Sequence, residues 1–238
     1  MARFILMLTR DDRTLPNAAS VCADLGDLGL QHVGFKDVGL TQEALPDLVR
    51  AIHDLGAEAA IELVGLEPAG EARWARRASD AGVDRVLGGA HAEVVSHALA
   101  DTPVRYFPFA GEVQGHPTRL RGSMEDVVDG ARRLAELGVE GIDLLAYRFD
   151  GDAPMLAAAV AGVTGLPVVA AGGICSDEQI YALTRAGVWG FTMGTAVFDG
   201  AYRPEARSVR ERVALALESA QQARTHASTR ERGGGYLA

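Results

Sequence analysis

The chain has 238 residues, 48% of them hydrophobic, and this length and composition suit one large α/β domain with a substantial core. Its net charge of −9 argues against nucleic acid or an anionic membrane as a partner. No apolar run approaches the ~20 residues that a membrane-spanning helix needs. Two isolated cysteines, Cys22 and Cys175, suit a reducing compartment, so we expect a cytoplasmic protein.

A recurring pattern of a polar helix end, a glycine and an apolar strand predicts the fold. The glycines of this pattern stand where a helix C-cap needs the left-handed conformation, and they are Gly29, Gly56, Gly82, Gly138 and Gly187. Eight units of about 26 residues account for most of the chain. Right-handed βα units repeated eight times close into a (β/α)8 TIM barrel, an α/β fold with a single domain. A doubly wound open sheet is the alternative, and it is disfavoured because no GxGxxG motif opens the chain.

Eight strands are predicted from short apolar runs. They are Phe4–Leu8, His32–Lys36, Ala59–Val64, Arg85–Gly88, Val104–Phe109, Gly141–Ala146, Val168–Ala171 and Gly190–Met193. A last helix is expected over Pro204–Ala223, so that residues 1–223 form the barrel and the polar, glycine-rich residues 224–238 form a flexible tail. Residues 110–122 make an unusually long connection, which we expect to cover or build the site.

Active sites of barrels lie at the carboxyl ends of the strands, where the second predicted strand ends in Lys36. Lys36 is the only lysine beside 22 arginines. Arginine is effectively never deprotonated, whereas a buried lysine can act as a base or a Schiff-base nucleophile, and we interpret Lys36 as catalytic. The alternative is an ion pair with Asp37 or another carboxylate. Glu62, on the neighbouring strand about 4.8 Å away, is either a general acid/base or only a pairing partner of Lys36.

Further candidates end the first and sixth predicted strands. Asp143 should point into the barrel, where a carboxylate is costly unless a lysine or arginine pairs with it. Strand alternation puts Tyr147 on the same face, as a candidate for proton transfer. Arg148 is expected to bind a second anionic group of the substrate, and Arg10 is a second substrate-binding candidate at the rim. No His or Cys has metal-ligand spacing, so we expect neither a metal nor another cofactor.

Two glycine turns follow the last two predicted strands. Gly172 and Gly173 precede a helix that the Ser176–Gln179 capping box starts and that should run to about Arg185. Gly194 and Thr195 precede a second, short helix. Both turns aim backbone N–H groups at one point, which suits a phosphate. The alternative is that these glycines only permit tight βα packing.

The segments AAGGICSDEQI and MGTAVFDG resemble the last two units of the ribulose-phosphate-binding barrels, most of all the isomerase of histidine biosynthesis. The resemblance implies phosphate binding at Gly172, Gly173, Gly194 and Thr195. That isomerase uses aspartates at the ends of strands 1 and 5, where this chain reads LTR and FPFAGE. The position of Lys36 in GFKDVG is similar to that of the Schiff-base lysine of the (5-formylfuran-3-yl)methyl phosphate synthases, without their aspartate-valine-lysine-asparagine context or second lysine.

Three hypotheses of function follow. The first is an enzyme that acts on a small phosphorylated sugar or carbonyl compound by a lyase or aldolase reaction, through an imine on Lys36. The second is a cofactor-independent sugar-phosphate isomerase or epimerase that uses Glu62 or Asp143 as acid/base. The third is a non-catalytic phosphosugar-binding module. Barrels of this size are often dimers, but no stretch marks an interface, so a homo-oligomer stays open.

Overall fold

The computed structural model of the protein describes residues 2–233, and the side chains as far as residue 226. Eight parallel strands make one sheet in this part of the chain. They are β1 Arg3–Met7, β2 His32–Lys36, β3 Glu58–Leu63, β4 Arg85–Gly88, β5 Arg105–Phe107, β6 Ile142–Leu144, β7 Val168–Ala170 and β8 Gly190–Met193. Nearly every residue in these strands is buried, as expected for a parallel sheet that helices cover.

The sheet closes on itself. Its strand order is β6-β7-β8-β1-β2-β3-β4-β5, and a parallel bridge between Phe109 and Asp143 joins the two ends of that order. There the Asp143 N–H donates to the Pro108 carbonyl at 2.9 Å, and the Ala110 N–H donates to the Asp143 carbonyl at 3.1 Å. The predicted (β/α)8 barrel is therefore confirmed, and the open-sheet alternative is wrong.

Helices follow the strands around the barrel. They are α1 Ala18–Asp24, α2 Leu45–His53, α3 Pro68–Asp80, α4 Ala92–Ala98, α5 Met124–Leu137, α6 Ala153–Thr164, α7 Asp177–Arg185, α8 Thr195–Phe198 and α9 Val209–Gly233. The five glycines of the repeated pattern all have positive φ, between 70° and 86°. Gly138 is the C-cap of α5, and Gly82 and Gly187 directly follow the C-caps of α3 and α7, whereas Gly29 stands four residues after the C-cap of α1. The capping box at α7 is present, with the Ser176 side chain on the Gln179 N–H and the Gln179 side chain on the Ser176 N–H. None of the helices within residues 2–233 combines the length and the hydropathy that a bilayer crossing requires.

Some element boundaries differ from the predicted ones. The predicted sixth strand ran to Ala146, but β6 ends at Leu144 and a single 3-10 turn follows over Ala146–Arg148. The last helix begins at Val209 and continues to Gly233, ten residues beyond its predicted end. Residues 234–238 of the predicted tail lie outside the described residues, and the division into barrel and flexible tail stays a prediction.

Two hairpins rise from the carboxyl end of the barrel. The first pairs Thr9–Arg10 with Arg13–Thr14, and its turn residues Asp11 and Asp12 have φ values of 50° and 62°. The second pairs Glu112–Gln114 with Arg119–Arg121 and accounts for most of the long 110–122 connection. Its inward side chains, Val113 and Leu120, are buried, so this connection is an ordered part of the fold.

The buried side chain of Arg85, at the start of β4, fills the amino-terminal end of the barrel. Arg85 is only 1% exposed, and its guanidinium carbon lies 4.6 Å from the ring centre of Trp189 and 5.2 Å from that of Phe107. Its Nη2 is 3.0 Å from Glu58, which also pairs with Arg105 at 2.8 Å. Among the described residues, nothing accepts a hydrogen bond from its Nε or Nη1. Packing on two aromatic rings therefore stabilises the buried Arg85 side chain more than ion pairing does.

We predict that Arg85→Ala lowers the free energy of unfolding by about 2–4 kcal/mol, because it leaves a cavity between Trp189 and Phe107. Arg85→Met should stay within about 1 kcal/mol of the wild type, since it refills that space while Glu58 keeps Arg105 as a partner. Urea denaturation of the three proteins measures the difference. Equal losses in both variants would contradict the packing explanation and point to the charge.

Candidate active site at the carboxyl end of the barrel

A cavity of about 280 Å³ opens at the carboxyl end of the barrel. Strands β1, β2, β3 and β8 contribute to its lining, together with the connections that follow β1, β5, β6, β7 and β8. The polar and glycine residues of this lining are Thr9, Asp11, Asp12, Lys36, Glu62, Arg148, Gly172, Gly173, Thr192, Gly194 and Thr195. The carboxyl end is where barrel enzymes place their active sites, so this cavity is the candidate site.

Lys36 is buried in the cavity between two carboxylates. It is 5% exposed, and its Nζ lies 2.7 Å from Asp12 Oδ1 and 3.3 Å from Glu62 Oε2. Burial by itself would lower the pKa of Lys36, but the negative charges of Glu62 and Asp12 outweigh burial and raise that pKa above its ordinary value. Lys36 is therefore an ammonium group in this state of the site. The predicted proximity of Lys36 and Glu62 is present, because β2 and β3 are neighbours and these residues are in register.

The expected alternative partner, Asp37, has a different place. Its carboxylate accepts hydrogen bonds from the N–H groups of Val64 at 3.0 Å and Gly65 at 3.2 Å, just after β3. Burial raises the pKa of Asp37 in spite of these hydrogen bonds. Asp37 thus holds the β3 connection in place, while the ammonium group of Lys36 turns to the other side of the strand.

Asp12 is the functional candidate that sequence reasoning missed. It is 6% exposed, and it accepts a hydrogen bond from Lys36 as well as two from Arg148, at 2.6 and 2.7 Å. Burial would raise the pKa of Asp12, but the hydrogen bonds and charges of Arg148 and Lys36 hold it well below its usual value. A dipeptide Asp-Asp between two short polar runs is a turn signal, and this is the one feature of the sequence that could have drawn attention to it.

The guanidinium group of Arg148 is hydrogen-bonded to other residues of the protein. Besides its two-pronged contact with Asp12, its Nη1 donates to the Thr118 carbonyl of the second hairpin at 2.9 Å. The residue was predicted to bind a second anionic group of a substrate. The structure brings it to the cavity but places an aspartate of this chain in the position such an anion would take.

Asp143 points into the barrel beneath this charge cluster, as predicted, but it lacks the predicted partner. It is 1% exposed, and neither of its carboxylate oxygens has a hydrogen-bond partner among the described residues. Burial, together with the negative charge of Glu62, raises the pKa of Asp143 well above its ordinary value. The raised pKa favours the uncharged form, which is the form that a buried carboxyl group without a cation partner tolerates best.

The two glycine turns line the cavity next to β1. The N–H groups of Gly172, Gly173, Gly194 and Thr195 donate no hydrogen bond to any residue that the structure describes. A Cβ at Gly194 would collide with Thr9, and one at Gly172 would meet Arg148 at 2.9 Å. A Cβ at Gly173 would meet nothing within 4 Å, although its φ is 106°. Close packing therefore explains why residues 172 and 194 have no side chain. At Gly173 no protein atom is close, so the backbone there is accessible to a ligand.

Two predicted site residues lie away from the cavity. Arg10 is exposed and donates to the Phe198 carbonyl at 3.1 Å, outside the cavity lining. Tyr147 is half-buried in the 3-10 turn, where burial and the nearby Asp152 raise its pKa. Strand alternation does not extend to Tyr147, because β6 ends at Leu144, and Leu145 lines the cavity instead.

Within the described residues, no group of three or more His, Cys, Asp or Glu side chains could hold a metal ion. The expectations of no metal and no cofactor stay predictions.

Comparisons with known proteins address the fold. No protein-family model matches the chain, and no curated protein matches its sequence. Among solved structures, orotidine 5'-phosphate decarboxylase from Pyrococcus horikoshii OT3 is similar with a TM-score of 0.68 at 14% identity, over 92% of this chain and 99% of that one. A cube-shaped, porous protein cage, designed by fusing symmetric oligomeric domains, has a TM-score of 0.67 at 19% identity, over 98% of this chain and 75% of the cage chain.

The carboxyl transferase domain of Rhizobium etli pyruvate carboxylase is similar with a TM-score of 0.60 at 14% identity, over 92% of this chain. The match covers 47% of that chain, so the present protein spans about half its length. Together with the closed parallel sheet, these similarities establish a single-domain TIM barrel. The finer resemblance to the histidine-pathway isomerases stays a prediction.

We predict a pH-dependent gain of stability in Asp143→Asn. An aspartate releases its proton near pH 3.9 in the unfolded chain, whereas buried Asp143 keeps it to higher pH, so the wild type loses stability as the pH rises above about 4. Asparagine removes this loss. The unfolding free energy of the variant relative to the wild type should increase by up to about 1.4 kcal/mol per pH unit until the pKa of Asp143 is reached.

Urea denaturation at pH 4 to 8 measures this difference. The matched control is Asp126→Asn in the α5 capping box, where hydrogen bonds from Ser123 lower the pKa of the aspartate, so that its difference from the wild type should be constant above about pH 5. A constant difference between Asp143→Asn and the wild type across this range would contradict a raised pKa of Asp143.

Proposed function

We propose that the protein is an enzyme that binds a small phosphorylated sugar or carbonyl compound and moves a proton on the carbon next to its carbonyl group, as an isomerase or epimerase. The observation that carries this proposal is the pairing of the Lys36 ammonium group with the Glu62 carboxylate, 3.3 Å apart in a cavity that unbonded backbone N–H groups also line. This is the second of the three sequence hypotheses.

The phosphate would bind at the turns after β7 and β8. Four backbone N–H groups there have no partner in the described chain, and the short helix α8 begins directly after Gly194. Barrel enzymes frequently bind phosphate at these two connections and at the amino terminus of a short extra helix. The phosphate ester named in orotidine 5'-phosphate decarboxylase is consistent with this choice of ligand.

The proton transfer needs two groups of the enzyme: a base that acts on the carbon, and a hydrogen-bond donor that acts on the adjacent carbonyl group. Glu62 would take the proton from the carbon, and the Lys36 ammonium group would donate a hydrogen bond to the carbonyl oxygen, which carries the negative charge of the enediolate. In an isomerisation Glu62 would then return the proton to the neighbouring carbon, while the hydroxyl proton of that carbon passes to the former carbonyl oxygen through Lys36. In an epimerisation a water molecule on the opposite face would supply the new proton, and Glu62 would release its own proton to the hydroxide left behind. No atom is gained or lost, and neither group changes its charge over the whole cycle.

Imine chemistry on Lys36 is the second candidate, because the only lysine of the chain lines the cavity. It requires a neutral amine, which attacks the carbonyl carbon and expels water. The two carboxylates raise the pKa of Lys36 and thereby oppose that step, so a proton would first have to pass to Glu62. We therefore rank a lyase or aldolase reaction below isomerisation, and a non-catalytic phosphosugar-binding module third.

Proton exchange into solvent separates these candidates. In D2O with a panel of phosphorylated aldehydes and ketones, the wild type should exchange the proton next to the carbonyl, as followed by NMR. Glu62→Gln should slow the exchange at least about 100-fold, because it removes the base and keeps the shape. Lys36→Arg keeps the cation and should retain measurable exchange, whereas Lys36→Met should lose it.

Borohydride reduction in the presence of the same ligands is the control on Lys36. An adduct confined to Lys36, with all exchange lost in Lys36→Arg, would favour the imine candidate. Tight binding with no exchange for any ligand, unchanged in Glu62→Gln and Lys36→Met, would leave the binding module as the function.

The phosphate end of the site has its own test in Gly173→Ala. The added methyl would enter the cavity without touching protein, so affinity for inorganic phosphate and for phosphorylated ligands should fall at least about tenfold. The matched control is Gly187→Ala, at a helix end with a φ of 81° and nothing within 4 Å of the added Cβ. Both variants should lose about 1–2 kcal/mol of stability from the left-handed conformation, and only Gly173→Ala should lose affinity.

Isothermal titration calorimetry and urea denaturation measure the two effects. Equal affinities in Gly173→Ala and the wild type would contradict a phosphate at these turns.

A further inference from the structure

We propose that Asp12 is the residue that determines substrate specificity, because it fills the position of a second anion in the cavity. The substrate would then carry its negative charge on the phosphate alone and present an uncharged hydroxyl or carbonyl end to Lys36. This inference rests on the proposed function and names the substrate class of the same site: phosphate monoesters whose other end is neutral.

The contacts of Asp12 are those of a bound carboxylate. One oxygen accepts from Lys36 Nζ at 2.7 Å and from Arg148 Nη2 at 2.7 Å, and the other accepts from Arg148 Nη1 at 2.6 Å. A substrate carboxylate would seek the same two-pronged contact with a guanidinium group. Asp12 already makes this bidentate contact, and the Thr118 carbonyl accepts a further N–H of Nη1. The guanidinium group of Arg148 therefore has no bidentate site left for an incoming anion.

The charges around the Lys36 end of the cavity are already balanced. The positive charges of Lys36 and Arg148 face the negative charges of Asp12 and Glu62. A second anionic group would meet two carboxylates at close range, and the described residues that line the cavity offer no further cation to compensate it. Asp12 and Glu62 are only 6% and 3% exposed, so little water screens that repulsion.

The turn that carries Asp12 is held at both ends. Thr14 Oγ1 accepts from the Lys36 N–H at 2.8 Å and donates to the Lys36 carbonyl at 2.7 Å, which fixes the hairpin to β2. On the other side, the Asp11 N–H donates to Thr195 Oγ1 at 3.2 Å, next to the proposed phosphate position. Asp12 is thus positioned by the backbone as well as by its own ion pairs, and its carboxylate belongs to the resting form of the cavity.

A pair of ligands tests the inference directly. Glycerol 3-phosphate and 3-phosphoglycerate have the same carbon number and one phosphate, and they differ in a neutral hydroxymethyl or a carboxylate at the other end. Neither has a carbonyl group that could form an imine. The wild type should bind glycerol 3-phosphate at least about tenfold more tightly than 3-phosphoglycerate, as measured by isothermal titration calorimetry.

In Asp12→Asn this preference should fall at least about tenfold or invert, because Arg148 and Lys36 become free for the ligand carboxylate. Asparagine tolerates the left-handed conformation of residue 12, which favours a folded variant. The matched control is Asp101→Asn, which removes the same charge from an aspartate of nearly the same φ, 63°, outside the cavity lining, and should leave the preference unchanged. A general loss of structure would lower both affinities together and would not move their ratio.

The outcomes are distinct. A wild type that binds both ligands equally, or prefers 3-phosphoglycerate, would overturn the inference whether or not the variant folds. A preference that Asp12→Asn and Asp101→Asn change equally would also overturn it. If inorganic phosphate and both phosphate esters fail to bind the wild type, the phosphate site of the proposed function fails, and this inference fails with it.

Discussion

The burial of one lysine organises the carboxyl end of this barrel. An ammonium group removed from water is costly unless carboxylates pair with it, and here Asp12 and Glu62 both do so. Asp12 in turn needs Arg148, and Arg148 reaches the carbonyl of Thr118 in the second hairpin. One buried charge thereby connects β2, β3, both hairpins and the turn after β6, so that segments distant in sequence depend on each other through ion pairs.

The two ends of the barrel handle buried charge differently. At the amino-terminal end, Arg85 is sandwiched against Trp189 and Phe107 and has one carboxylate partner, an arrangement that fills space. At the carboxyl end, charges alternate around a cavity and are positioned by hairpins and by strand register. The parallel direction of all eight strands is what separates these roles, because it brings every strand-to-helix connection to the same rim.

The sequence predicted best what depends on local backbone chemistry. Glycines at helix ends and the Ser176 capping box are local signals, and both were found where expected. The proximity of Lys36 and Glu62 followed from the pairing of consecutive strands. Asp12 was missed because two residues in the left-handed conformation turn the chain back over the barrel, and neither strand alternation nor helical periodicity applies there. The same loss of periodicity, after β6 ends at Leu144, misplaced Tyr147.

A single lysine among 238 residues also makes the site chemically unique within the chain. Lys36 is the only side-chain amine, and it is 5% exposed, so an amine-directed reagent reports on the opening of this cavity and on nothing else along the side chains. The peptide bond after Lys36 joins the last residue of β2 to buried Asp37, so a lysine-specific protease has one cleavage point, inside the barrel wall. Cleavage there requires that the closed sheet first unfold. The rate of cleavage after Lys36 therefore measures the global unfolding of the barrel.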